Sequence, residues 1–529
     1  MSDKTPGLPV GSIVAYLVFC LLLTMLQAFW TNALSNHDLD LLNLLVPVLL
    51  GMSSSLLAWQ IMRQSPLAIW NPLVWFLLAC TMYYGLGQLI HIFGNTDSVE
   101  RVNSLYLVDQ PGLARTNLLH TVGVMIIVGA YVLAATLFKQ QKRTAMSDAG
   151  SQAFERQSAR EARSAALLFL LIGLPIKYLL ELPYNLGLLT WVLPGSVQYL
   201  GTLSGMAIIP LYWLYKKRGG IYGPIILALV ISEFLVDLVS LSKLEMIKTA
   251  IFLLLGTQLV KPGLKKLVLS GIMIVVGYVL IASPFVNFAR VAVGRAAAKD
   301  LWQAVDLVEQ FNAKGRTVQD VQFPKAQLWW ARLAYSNVEL FAMRQYDRGH
   351  PGATFKLAPY TLIPRFIFPN KPRMNSGLEF TFLITGDQNM MSQTGLGALG
   401  EGYWNGGWLG VAVVGIVVGV LLAAFSHFSM RMLESRIFMF LPISMAGIML
   451  GLRIDDWFVP TYLGTTIQLL LVYLAIQYVV RPIQLGNLAH VEHAVQRDGA
   501  GYGGETTSAS CLPALGTRSA PPSSIPGTQ

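Results

Sequence analysis

Residues 400–427, GEGYWNGGWLGVAVVGIVVGVLLAAFSH, carry no charged side chain from Gly402 to Ser426. A helix satisfies its own backbone hydrogen bonds, and roughly 20 apolar residues in that form cross the hydrocarbon core of a bilayer. The stretch therefore reads as a transmembrane helix with a polar, glycine-rich mouth. Applied outward, the same reading places spans near 9–30, 41–62, 67–93, 117–138, 164–182, 197–215, 221–240, 244–260, 267–287, 400–427, 436–452 and 460–480. Composition agrees, with 54% hydrophobic and 12% charged residues against roughly 25% charged in soluble domains. The expected fold is all-α: a polytopic membrane protein of about 12 transmembrane helices.

The net charge of +10 is spread over short loops beside the spans and forms no continuous basic face with interleaved aromatics, so nucleic acid is excluded as a partner. Arg63, then Lys139, Lys142, Arg143, Arg156, Arg160 and Arg163, then Lys216, Lys217 and Arg218 alternate with loops poor in flanking cations. Lys261, Lys265, Lys266, Arg431, Arg436 and Arg481 continue the pattern on the same side. By the positive-inside rule both termini are cytoplasmic, and residues 92–116, 183–196, 241–243, 288–399 and 453–459 face outward.

The organisation expected is an N-terminal bundle of about nine helices over 1–287, a large outer loop over 288–399, C-terminal helices over 400–483 and a disordered tail over 484–529. No internal repeat is visible. LWQAVDLVEQFNA and KAQLWWARLAYSNVELFAMRQY in the loop carry apolar residues at helical spacing, and predict short helices lying along the membrane surface. The first apolar run follows MSDKTPGLPV without a cleavage site and reads as a signal anchor. Cys20, Cys80 and Cys511 offer neither a disulfide framework nor a metal-ligand spacing, and Cys20 and Cys80 read as buried small hydrophobes.

Three segments carry the chemistry. In IPRFIFPNKPR, prolines stiffen a loop from which Arg365, Lys371 and Arg373 project. Arg forks match phosphate oxygens and Lys adds a point charge, so a pyrophosphate suits the loop. The alternative is snorkelling to anionic headgroups, against which stands the outward position, where clustered cations are disfavoured. The second segment, TGLGALGEGYWNGGWLG, offers Glu401, Tyr403 and Asn405 with aromatic faces, the residue types that hold sugars. Small-residue helix packing with an interfacial aromatic belt is its structural reading. The third, GLRIDDWFVP, places Arg453, Asp455 and Asp456 at a helix end, either as an ion pair or as a cation beside a base.

Arg290 closely follows the ninth span and is the best of the weaker candidates, with Arg295, Arg332, Tyr335, Glu339 and Arg344 behind it on helices that need solvated charged faces anyway. Inside the spans, Lys177 with Glu181 and Glu233 with Asp237 stand at i,i+4 and share a helix face, and ionisable groups at membrane depth point to function. His91 and His120 read as structural groups, and no metal-binding pattern is present.

In the order PRFIFPNKP, a Gly/Thr stretch, then GEGYWNGGWLG entering a late helix, the chain resembles the oligosaccharide repeat-unit polymerases of bacterial surface polysaccharides, the Wzy type. The resemblance rests on residues 355–425 and on the layout of spans around one late outer loop. It implies a glycosyltransferase of the membrane-embedded C superfamily, in the bacterial inner membrane, acting at the periplasmic face on undecaprenyl-pyrophosphate-linked oligosaccharides. It implies no cofactor and no metal, and a chain-length regulator and a flippase as partner proteins.

Carried onto this chain, the resemblance gives pyrophosphate binding to Arg365, Lys371 and Arg373 and the sugar site to Glu401, Tyr403 and Asn405. The base is left among Glu401, Asp455 and Asp456, with cations stabilising the departing diphosphate. An O-antigen ligase, which carries a His in its large loop as His350 does here, is the alternative within the class. A transporter or flippase of the same lipids is the alternative outside it, and would line a central cavity from both halves.

Overall fold

The computed structural model of the chain describes residues 9–33, 39–138, 148–189, 193, 195–292, 306, 309–310, 328–361, 363, 368, 370–372, 374–388 and 393–480. Among these residues every regular element is helical. Nine helical stretches in them are long and apolar enough to cross a membrane. The expected spans at 197–215, 244–260 and 436–452 are helical but fall short of that standard. The first is broken into Gly195–Gly201, Leu203–Met206 and Ile208–Arg218. The second, Lys243–Val260, carries Lys243, Glu245 and Lys248 in its opening turns. The third, Phe438–Leu452, is short.

The helices that position the site are α1 (Pro72–Cys80), α2 (Gln110–Leu137), α3 (Asp148–Ile176), α4 (Tyr222–Ser240), α5 (Lys243–Val260), α6 (Ser336–Asp347), α7 (Ala398–Ser435), α8 (Leu441–Leu452) and α9 (Gly464–Ala475). Helix α2 starts ahead of its hydropathic window because Asp109 caps it, its Oδ1 accepting from the Gly112 N–H at 2.8 Å, with Pro111 in the first turn. Helix α7 lies against α2. A Cβ on Gly419 would come within 2.3 Å of the Ile127 carbonyl, so the backbones approach as only small residues allow.

As one rod, the 38 residues of α7 would reach about 57 Å, well beyond a bilayer core of about 30 Å. It is not one rod. Gly406 and Gly407 leave helical geometry, Gly407 at φ +58°, and the chain turns so sharply that Gly410 approaches the Gly402 carbonyl. The residues before the break, Ala398 to Asn405, form a separate short helix at the mouth of the bundle.

Helix α6 is not the surface helix expected from KAQLWWARLAYSNVELFAMRQY. Leu340, Ala342 and Met343 are fully enclosed, and the helix packs between α7 and α2. Two things drive it inward: apolar residues around most of its circumference, and Glu339, which hydrogen-bonds His120 of α2 at full burial. Around it, Phe380 meets Trp404 edge-on at 5.1 Å and Trp457 at 5.6 Å, over Val338, Ala342 and Leu396. The described part of the late loop is thus built into the bundle, and Met1–Tyr473 forms one compact unit. The second unit, Leu474–Gln529, begins within α9. The tail from 484 and most of 301–313 lie outside the described residues. Cys20 and Cys80 are free and buried.

Candidate functional site

The ends of α3, α4 and α8 meet the starts of α5 and α9 around one cavity, and the starts of α2 and α7 meet the end of α6. Hydrogen bonds tie α2, α6, α7 and the turn before α9: Arg115 to Tyr403 and Asp347, Arg344 to Asp109, and Glu401 to Phe458.

The residues singled out in the sequence are distributed as follows. Glu401 is fully enclosed, and its Oε2 accepts from the backbone N–H groups of Phe458 and, at 3.4 Å, Val459. It caps the turn that leads into α9, and thereby joins the mouth of α7 to the last span. Asn405 accepts from the Phe355 N–H at 3.2 Å and donates to Thr354 Oγ1 at 2.8 Å, fastening the loop over the helix. Tyr403 sits between Arg115 and Asp347, accepting from Arg115 Nη2 at 3.0 Å and donating to Asp347 Oδ1 at 3.2 Å.

Asp455 accepts from the Tyr335 hydroxyl at 3.1 Å. Burial, and then the charge of Asp456, raise its pKa above the usual carboxylate range. Asp456 accepts from the Trp457 N–H at 2.9 Å and stands 3.5 Å from Arg453. Lys371 donates to the Ile363 carbonyl at 3.0 Å. Arg365, Arg373 and the side chain of Arg290 lie outside the described residues. The three acids and the amide named in the late segments therefore hold backbone or loop segments in place, and of the described candidates in those segments Arg453 lines a cavity, together with Lys177, Glu181 and Asp237 from the ionisable residues inside the spans.

That cavity, of about 850 Å³, opens between α3, α4, α5 and α9. Its cations are Lys177, Lys248 and Arg453, its carboxylates Glu181, Asp237 and Glu245, and its apolar wall includes Val236, Leu469 and Val472. Two wide π-helical turns border it: Lys177–Glu181, which follows Pro175 at the end of α3, and Phe458–Leu463, which contains Pro460. Proline withdraws a backbone donor and crowds the preceding turn, and such irregular turns recur at functional sites because they re-aim side chains.

The charges in the cavity are already partly spent on each other. Lys177 does not pair with Glu181 on its own helix. It crosses to α4, donating to Glu233 Oε2 at 2.8 Å and Asp237 Oδ1 at 2.9 Å, with all three side chains at most 2% exposed. Ser204 donates to the other oxygen of Glu233. Lys248 pairs with Glu245 one turn away. Arg453, 46% exposed, has among the described residues only the 3.5 Å approach of Asp456 as an ion pair. The rule that flags ionisable residues inside apolar spans would have found Glu245 and Lys248 as readily as Lys177, because they occupy the first turns of an otherwise apolar helix.

A second cavity of about 340 Å³ lies at the opposite end of the molecule, between the start of the first span and the ends of α2 and α7, lined by Asn71, Tyr131, Ser426 and His427. It shares no residue with the first. Comparison of the chain with known protein families, with curated proteins and with solved structures finds no match.

Proposed function

We propose that this chain is a membrane-embedded glycosyltransferase that polymerises oligosaccharide repeat units carried on undecaprenyl pyrophosphate, at the periplasmic face of a bacterial inner membrane. The observation that carries the reading is the 850 Å³ cavity, in which cations, carboxylates and an apolar wall share one space. Its size falls within the roughly 300–1,000 Å³ of small-ligand sites.

The chemistry fits the donor set. A lipid diphosphate needs cations where charge develops as it departs, and Arg453 and Lys248 supply them. The attacking sugar hydroxyl needs a proton acceptor, and the cavity presents carboxylates. The prenyl chain needs an apolar wall, which Val236, Leu469 and Val472 provide. A single displacement at the anomeric carbon inverts its configuration. In this reading the short and charged helices complete about twelve spans, arranged like those of the membrane-embedded C superfamily, with both termini cytoplasmic.

Two observations weigh against the alternatives. Among the described residues the two cavities lie at opposite ends and have no lining residue in common, unlike the continuous central path a transporter would line. His350 is exposed, its carbonyl accepting from the Trp404 indole N–H at 3.2 Å, and it does not border the cavity, which disfavours the ligase. Purified protein given lipid-linked repeat units should convert them into a ladder of longer glycans. Movement of the intact units across a vesicle membrane without any ladder would overturn the reading.

A further inference from the structure

Among the three carboxylates that line the cavity, one stands apart. Asp237 accepts from Lys177, and Glu245 is paired with Lys248. Glu181 takes part in no hydrogen bond or ion pair among the described residues, although it sits between these two pairs and is partly buried. An ion-paired carboxylate is a poor proton acceptor, because its lone pairs are engaged and its negative charge is offset. The carboxylate that keeps its lone pairs is the one able to take a proton from a substrate.

The chain also keeps space for it. Gly201, in the broken helix facing the end of α3, has no side chain, and a Cβ there would fall 2.1 Å from Glu181 Oε1 and 2.5 Å from its carboxyl carbon. A methyl group at that position would displace the carboxylate. The π-helical turn Lys177–Glu181 ends on this residue and presents it to the cavity while Lys177, at its other end, turns to α4.

We infer that Glu181 is the catalytic base, accepting the proton of the acceptor-sugar hydroxyl as that oxygen attacks the anomeric carbon of the donor, an assignment that rests on the polymerase reading above. The O–H bond of the acceptor breaks and its proton passes to the Glu181 carboxylate. The new C–O bond forms at the anomeric carbon as the bond from that carbon to the phosphate oxygen breaks, and the electron pair leaves with the diphosphate beside Arg453. The proton on Glu181 is then lost to water, and no oxidant, reductant or further reactant enters.

The test measures glycan ladder formation and, separately, binding of undecaprenyl diphosphate, on detergent-purified full-length protein. Glu181→Gln is expected to slow transfer by about 10²–10⁴-fold, the usual range for a missing general base, with diphosphate affinity unchanged. Glu181→Ala is expected to regain part of its rate with added formate or azide, a recovery that a merely structural role would not give. Transfer by Glu181→Gln within about threefold of wild type would overturn the assignment, and so would loss of diphosphate binding together with transfer. If Glu181→Gln aggregates, Glu181→Asp decides: slowed transfer at unchanged affinity supports the base, and full-rate transfer rejects it. A wild-type protein that builds no ladder fails the polymerase reading itself, whereas a ladder indifferent to Glu181 fails this assignment alone.

Discussion

At the scale of single residues, the most consequential pair is His120 with Glu339, joined at full burial, with the His120 ring stacked on Tyr84 at 3.9 Å between centroids. Removing one partner of a buried hydrogen-bonded pair leaves the other unsatisfied, at a cost of about 1–3 kcal/mol and more for a charged group. Glu339→Ala should therefore lower the thermal unfolding midpoint in detergent markedly, and replacing both residues with Leu should recover much of the loss. Equal destabilisation by the single and double variants would show that the pair is not the cause. Asp455 makes a pH prediction. Its raised pKa means that the folded protein retains a proton which the unfolded chain has released, so stability falls as pH rises from the ordinary carboxylate range to that raised value. Asp455→Asn, which cannot ionise, should flatten that part of the curve of Tm against pH, and an unchanged slope would count against it. Glu401 shows how far the sequence reaches at this scale. Its polarity at a helix mouth is plain in GEGYW, but its partners are backbone N–H groups of Phe458 and Val459, which no side-chain pattern announces.

At the scale of elements, hydropathy locates the spans because roughly 20 apolar residues have few other places to go. It cannot see breaks within them. The Gly406–Gly407 break in α7 and the π-helical turns at Lys177–Glu181 and Phe458–Leu463 leave hydropathy unchanged while redirecting side chains. Gly407, at φ +58°, occupies a conformation costly to other residues, and a Cβ there would meet the Tyr346 ring at 2.9 Å. Gly407→Ala should cost about 1–3 kcal/mol of stability, measured as a lower unfolding midpoint, with Gly406→Ala milder because nothing lies near its Cβ direction. A Gly407→Ala protein as stable as wild type would contradict the strain argument. Helix α6 marks a second limit. Its apolar spacing is legible, but burial against α2 and α7 depends on His120 and on the glycines of α7, far away in sequence.

At the scale of the whole molecule, the alternation of Lys- and Arg-rich loops gives an expected orientation for the spans. The site was less legible. The charged motifs late in the chain point to residues 364–373, 400–405 and 453–456, whereas the described cavity is lined mainly by residues between 177 and 202 with α4, α5 and α9, and Arg453 is the one late-motif candidate that lines it. Lys177, Glu181 and Asp237 were visible as ionisable residues in apolar spans. What the sequence does not display is their convergence, or which of them remain unpaired once Lys177 has crossed to α4. The central claim is that this cavity neutralises a lipid diphosphate during glycan transfer. Its most direct test is the rate of ladder formation by purified Arg453→Ala on lipid-linked repeat units, beside wild type at equal folded content. The account predicts a loss of about 10²-fold or more, and a ladder formed at the wild-type rate would contradict it.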